Sequence, residues 1–270
     1  MKKFELTTEF ITNAFGKKLF RIKALVEFGD VKAGELGGYV EKEGNVSQAG
    51  NAWVYGNARV SGDARVSGDA RVSGNAWVYG NARVYGNAWV YGDARVSGNA
   101  WVSGNARVYG DARVSGDARV YGDAWVSDNA WVYGNARVYG DARVYGDARV
   151  YGDARVSGDA RVYGDARVYG NAEVSGNAEV YGDARVCGNA WVYGNADYAL
   201  VQGFGTEFRC TTFYRGKNKK IMVNCGCFHG DLERFRKQVK ETRNGKIAKE
   251  YLMIADLMEY HFTSEDSSDE

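Results

Sequence analysis

Histidine is scarce in this sequence. His229 and His261 are its only two in 270 residues. A general base that works near neutral pH is most often a histidine, so the first 228 residues lack the usual candidate. Proline is absent, and the four cysteines (Cys187, Cys210, Cys225, Cys227) do not suggest a disulfide-stapled secreted domain. The opening MKKFELTTEF holds no apolar run resembling a signal peptide, and no later stretch approaches a membrane span. A cytoplasmic setting without a membrane partner is therefore expected. No glycine run is followed by Gly-Lys-[Ser/Thr], which excludes a phosphate-binding loop. No threonine ladder exists, so an ice-binding surface is excluded too.

What the chain does contain is repetition. From Gly50 to Tyr193 a six-residue unit, Gly-[Asn/Asp]-Ala-x-Val-[Tyr/Ser], recurs 24 times over 144 residues. In Gly56-Asn57-Ala58-Arg59-Val60-Ser61, Ala58 and Val60 share one face of a short strand, and Arg59 and Ser61 share the other. Gly with Asn or Asp supplies a corner, because these residues tolerate positive φ. Such a unit is too short to fold alone and must stack. Three units, 18 residues, make one triangular coil, so 24 units make 8 coils stacked roughly 4.8 Å apart. Val and Ala are expected inside, and each buried Val contributes on the order of 1.5–3 kcal/mol. The period does not fix the hand of the coil.

This unit resembles that of the hexapeptide-repeat, left-handed parallel β-helix family. There an inward aliphatic residue is followed four positions later by a small one, as in Val54 and Ala58, then Val60 and Ala64. The resemblance implies a left-handed, triangular, single-stranded parallel β-helix of about 8–9 coils. The run Asp30-Val-Lys-Ala-Gly34, Gly37-Gly-Tyr-Val40 and Asn45-Val-Ser-Gln48 is similar to the leading segment of bacterial and prophage hexapeptide-repeat proteins, including the YdcK-like group labelled as transferases. It implies shared ancestry of cap and column. Many hexapeptide-repeat proteins are acyltransferases that use a histidine at a subunit interface and a loop projecting from the column. Here the column has neither, so an acyl-CoA-dependent transferase is the alternative rather than the leading expectation.

The expected organisation is a mainly β chain: an N-terminal β cap (1–49), the β-solenoid (50–198), a small C-terminal α+β module (199–263) and an acidic disordered tail (264–270). Residues 4–11 and 18–28 alternate like two strands around a turn at 13–16. A cap is required, because the first coil would otherwise expose unpaired strand edges. In the C-terminal module, 207–214 and 220–224 read as a hairpin around Gly216-Lys217-Asn218. Asp231 can N-cap a helix that buries Leu232, Phe235 and Val239. Asn244-Gly245 breaks it. A second helix over about 246–262 buries Ala248, Tyr251, Leu252, Ala255 and Phe262. This module is placed at the far end of the column. The stretch from Cys225 to Gly230 and on to Leu252 also resembles the C-termini of prophage repeat proteins.

The outward position between Ala and Val holds 15 Arg, 7 Trp and 2 Glu (Glu173, Glu179), and every Trp of the chain sits there. The position after Val holds 14 Tyr, 9 Ser and Cys187. One face stacks Trp53, Arg71, Trp89, Arg107, Trp125, Arg143, Arg161 and Glu179, an order suited to cation–π pairs. The 12 Asp in the second position of the unit are expected close enough to offset Arg–Arg repulsion. Such faces suit protein hot spots or single-stranded nucleic acid. The candidate residues are Trp53, Trp77, Trp89, Trp101, Trp125, Trp131, Arg59, Arg71, Arg95, Arg107 and Arg143. Residues 50–198 carry 15 basic and 16 acidic side chains, a net −1, which argues against nucleic acid on the column and against mimicry of DNA. Residues 199–263 carry 12 and 7, so Arg234, Arg236, Lys237 and Lys240 are the basic candidates there. Cys210, Cys225, Cys227 and His229 could supply four zinc ligands, although Cys-x-Cys-x-His is a weak spacing. No cofactor is called for. The reading is a non-catalytic solenoid scaffold, phage- or prophage-associated, that binds a host protein through its faces or its basic module. Self-association, as a trimer or end to end, and nucleic-acid binding are the other partner readings.

Overall fold

The small inward pair of each unit, Ala and Val, sets the architecture. The computed structural model describes residues 1–205, 209–216 and 219–263. Every Ala and Val of the repeat, from Ala52 to Val192, is fully buried in one continuous core. The strands on either side of it are two residues long, running from β4 (Trp53–Val54) to β27 (Trp191–Val192). Strands 18 residues apart pair in parallel, so Trp89 lies between Arg71 and Arg107, and Val90 between Val72 and Val108. The ladder is hydrogen-bonded coil to coil, as in Arg59 N to Ala76 O at 2.9 Å and Tyr79 N to Val96 O at 3.0 Å. Three parallel sheets result, and the column makes about nine turns.

The corners turn on glycine. Gly98 has φ +67°, and a Cβ there would sit 2.9 Å from the nitrogen of Gly116 in the next coil. Both the left-handed backbone and the coil-to-coil contact therefore exclude a side chain. One corner breaks the rule. Asp128 takes the glycine slot at φ +56°, and its carboxylate accepts from Gly146 N at 3.1 Å.

At the N-terminal end, β1 (Phe4–Thr12) and β2 (Lys18–Ala24) form an antiparallel hairpin, and β2 pairs with β3 (Leu36–Val40). β2 stops at Ala24 rather than running to 28. Gly29 and Gly34 have positive φ, and a bridge between Phe28 and Val31 turns the chain there. β3 pairs in parallel with Arg59–Val60, placing Val40 in the valine row one coil early. Cap and column thus share one sheet.

The C-terminal end is built differently. β28 (Tyr198–Phe204), β29 (Arg209–Arg215), β30 (Ile221–Cys225) and β31 (Phe228–Asp231) form an antiparallel sheet of their own. The expected hairpin is β29–β30, and β28 and β31 flank it. The parts of that expectation at 207–208 and 217–218, and the tail at 264–270, lie outside the described residues. Asp231 caps α1 (Leu232–Thr242) by accepting from Arg234 N at 2.9 Å. α2 (Gly245–Thr263) follows and buries Tyr251, Ile254, Ala255, Met258 and Phe262, while Ala248 and Leu252 are only partly covered. The module docks on the last coil. Tyr214 joins the column core, Ala190 bridges Gly216, and Thr212 Oγ1 accepts from Arg185 N at 3.0 Å. No helix among the described residues is long and apolar enough to cross a membrane.

Candidate functional site

The outward position of the repeat delivers three axial rows of side chains, one per sheet. In the first, Arg71, Trp89, Arg107, Trp125 and Arg143 stack in alternation, with guanidinium carbons 4.9–5.6 Å from the ring centres. In the second, Arg113 and Arg149 flank Trp131 at 4.7 and 5.4 Å. In the third, Arg83 and Arg119 flank Trp101 at 5.2 and 5.0 Å. Parallel register forces this: identical slots fall one above the next at the strand spacing, which suits flat groups lying face to face. The tyrosine slot does the same. Tyr133, Tyr151 and Tyr169 stack at 4.9 and 5.0 Å with planes within 3°.

Trp53 is a correction. It occupies the outward slot yet is 0% exposed, because the N-terminal cap folds over it. Phe4 and Phe28 meet its ring edge-on at 5.8 and 5.3 Å, and Gly37 lies so close that a Cβ would come within 2.7 Å of the indole. Trp53 is a core residue of the cap and offers no binding surface. Trp77 is partly covered as well, by Phe15 at 5.9 Å, and its indole donates to Ser61 Oγ at 3.3 Å. Trp89 (41%) and Trp131 (37%) are exposed, while Trp101 and Trp125 are half-buried. Trp191 is exposed at 46% and belongs with the candidates, although it lies near the C-terminal cap. Among the arginines, Arg95, Arg107 and Arg143 are exposed and Arg59 is half-buried. Arg71 is held by Asp30 of the cap.

The expected offset of Arg by Asp takes another form. Among the described residues, no Asp of the repeat comes within ion-pairing distance of an Arg of the repeat, and Arg161 pairs instead with Glu179 at 3.1 Å. The corner carboxylates accept from asparagine amides in the preceding coil, as Asp117 does from Asn99 and Asp123 from Asn105, both at 2.9 Å. A corner side chain points along the axis to its counterpart one coil away, so the coil spacing favours Asn–Asp over Asp–Arg.

The C-terminal candidates divide. Arg236 bridges Asp256 and Glu259 of α2 at 2.7 and 2.6 Å, which raises its guanidinium pKa and makes it a clamp between the helices. Lys237 lies near Glu241 at 3.9 Å, and Arg234 and Lys240 are exposed. The sulfur set does not converge. Among the described residues no three His, Cys, Asp or Glu side chains are grouped to hold a metal ion. Cys225 accepts from the Thr211 hydroxyl at 3.0 Å, while His229 turns toward the column.

There His229 meets a residue that sequence reasoning passed over as a site. Cys187, 4% exposed, stands where the Tyr133–Tyr151–Tyr169 row would place its next ring. Its sulfur lies 3.4 Å from His229 Nδ1 and 3.5 Å from Asn224 Nδ2. The Tyr214 hydroxyl donates to Cys187 O at 3.1 Å. Burial pushes the Tyr169 hydroxyl up to about 12, and that of Tyr214 higher still. The available signal was the break in the Tyr/Ser pattern at Cys187, as the break in the glycine pattern marks Asp128. This junction is closed to solvent on the cysteine side and ties the module to the column.

The profile of the YdcK β-solenoid repeat matches the chain fifteen times, covering residues 52–176 and 178–194. The chain belongs to the YdcK β-solenoid repeat family. No curated protein matches its sequence significantly. The YdcK match spans the coils that carry the Arg and Trp rows, and the two caps lie outside it. Family membership therefore describes the column that presents the rows.

Proposed function

We propose that the protein is a non-catalytic β-solenoid scaffold, phage- or prophage-associated, whose repetitive Arg/Trp/Tyr faces bind a macromolecular partner, with a host-encoded protein as that partner. The observation that carries this reading is the five-member stack from Arg71 to Arg143. Trp, Tyr and Arg are the residues that dominate protein interfaces when they are rigid and able to shed water. Stacking holds these side chains in place before any partner arrives, which lowers the entropy lost on binding. A row that repeats coil after coil also supports avidity rather than a single pocket. The phage setting rests on the resemblance of the leading segment at residues 30–48.

The test is capture from a bacterial lysate with the tagged full chain, half of the lysate being treated with nuclease. A stoichiometric protein that survives nuclease and is lost with the Trp89→Ser, Trp125→Ser double variant is the expected result. Capture that is unchanged in the double variant would remove the faces from the interface.

A further inference from the structure

The third row lines a groove. About 440 Å³ of open volume follows the column axis over four consecutive coils. Its floor carries Arg65, Arg83, Trp101 and Arg119, and its wall is the corner ladder from Asp63 to Asp117. Four coils span roughly 14 Å at the strand spacing, so a ligand that fills the groove is elongated.

The chemistry of the groove narrows the ligand. Trp101 has Arg83 over one face and Arg119 over the other, which leaves no open ring face for a nucleobase to stack on. The strands beneath are already paired on both sides, so an extended peptide finds no free edge for main-chain hydrogen bonds. Arg65, Arg83 and Arg119 form no ion pair with any described acid. A guanidinium stacked on an indole keeps its in-plane N–H groups free for a carboxylate. Arg83 and Arg119 present two such forks two coils apart, roughly 9.6 Å.

The wall offers the opposite chemistry. Asn81 donates to Asn99 at 3.1 Å and Asn99 to Asp117 at 2.9 Å, so the ladder ends in a carboxylate with a second oxygen to spare. Asp63 at the other end is held by Lys42 at 2.6 Å. Carboxylate and amide oxygens accept from hydroxyls, and they repel a ligand that is anionic at every unit. The fitting ligand is a single linear chain with spaced carboxylates and many hydroxyls.

We propose that this groove binds a linear, uronic-acid-containing polysaccharide, with carboxylates on Arg83 and Arg119 and hydroxyls on the Asn81–Asn99–Asp117 wall. A 1→4-linked chain advances by roughly one coil rise per sugar, which places the carboxylates of alternate sugars at the two forks. The inference goes beyond the protein-partner reading and involves a different sheet, so either can fail alone.

An oligosaccharide of alternating 1→4-linked glucuronic acid and N-acetylglucosamine, which carries a carboxylate on every second sugar, tests it when titrated into the full chain and followed by tryptophan fluorescence and calorimetry. Saturable binding is expected. It should weaken at least tenfold in the Arg83→Gln, Arg119→Gln double variant, and at least tenfold when the same sugar is methyl-esterified. Lys249→Gln, at an exposed position of α2 in the C-terminal module, should leave it unchanged. Circular dichroism of each variant separates lost binding from lost folding. The proposal is overturned by absence of binding at millimolar sugar, by equal affinity for the methyl ester, by equal affinity for polyphosphate of matched charge, or by a double variant that binds as tightly as the parent.

Discussion

The two ends of the column are closed by different chemistry. The N-terminal cap continues the first sheet: β3 pairs with the first coil, and Trp53 is sealed by Phe4, Phe28 and the bare backbone of Gly37. The C-terminal module brings its own sheet, packs Tyr198, Tyr214, Leu200 and Met222 on the column core, and adds a polar network of Tyr214, Asn224, Thr212 and His229 around Cys187. The first closure is apolar burial backed by an unbroken hydrogen-bond ladder. The second adds a network whose members depend on one another. Apolar packing loses stability in proportion to what is removed, whereas a buried polar network leaves orphaned partners when one member goes.

The largest effect should follow truncation at the apolar end. Trp53→Ala removes a fully buried indole and leaves a cavity, so global stability should fall by about 3–5 kcal/mol in chemical denaturation. A loss below about 1 kcal/mol would mean that the cap does not stabilise the column. The polar end should respond less and more locally. Tyr214→Phe deletes the hydroxyl that donates to Cys187 O, and should destabilise the junction by about 1–3 kcal/mol. The readout is alkylation of Cys187, resolved by peptide mass spectrometry. The thiol should label faster in the variant while the N-terminal residues keep their hydrogen-exchange protection. Unchanged labelling would show that the docked sheet, rather than the network, closes this end.

Alkaline titration should drive the two ends in opposite directions. Burial pulls the Lys3 ammonium down to about 8, although it donates to Gly50 O and Ala52 O. The unfolded chain holds that proton to about 10.4, so between about 8 and 10 it binds more protons than the folded one, and the N-terminal end gains stability as pH rises. Tyr169, Tyr198 and Tyr214 are all raised by burial, Tyr169 to about 12. Their contribution is complete below the unfolded value of about 10 and is lost as pH climbs toward the folded values. Thermal melts from pH 7 to 11 should therefore show a rise that Lys3→Met abolishes, and a later fall that Tyr214→Phe reduces. A Lys3→Met protein that keeps the rise would assign it elsewhere.

The column was legible in the sequence because its rules are local. Ala58 and Val60 face inward for the same reason as Ala184 and Val186, and the spacing of 18 follows from three units per coil. The Arg–Trp–Arg stacks follow from that register. Burial of Trp53 was not legible, because nothing in its own unit differs from that of Trp89; the covering residues, Phe4 at the start of β1 and Phe28 in the turn after β2, arrive from a cap whose path the repeat does not encode. The Cys187–His229 contact joins positions 42 residues apart across two modules, and only the lapse in the Tyr/Ser pattern hinted at it. The Arg–Asp offset failed for a related reason. Their sequence proximity is real, but the side chains leave a corner and a flat face in different directions.

The smallest expected effect separates one corner from its siblings. Asp128 holds the left-handed conformation that glycine adopts without strain at Gly110 and Gly146. An L-residue there costs about 1–2 kcal/mol, less when a short polar side chain bonds locally, and the Asp128 carboxylate does so with Gly146 N. Asp128→Gly removes the strain but also the bond, and it frees the unfolded chain by about 0.5–1 kcal/mol. These terms nearly cancel, so its midpoint of denaturation should stay within about 1 kcal/mol of the parent. Both variants lose the acceptor, but Asp128→Ala alone keeps the strained Cβ, so it should be the less stable of the two by about 1 kcal/mol. If Asp128→Ala matched the parent, the carboxylate would contribute nothing at this corner, and Asp128 would be a tolerated lapse in the repeat rather than a replacement bond for it.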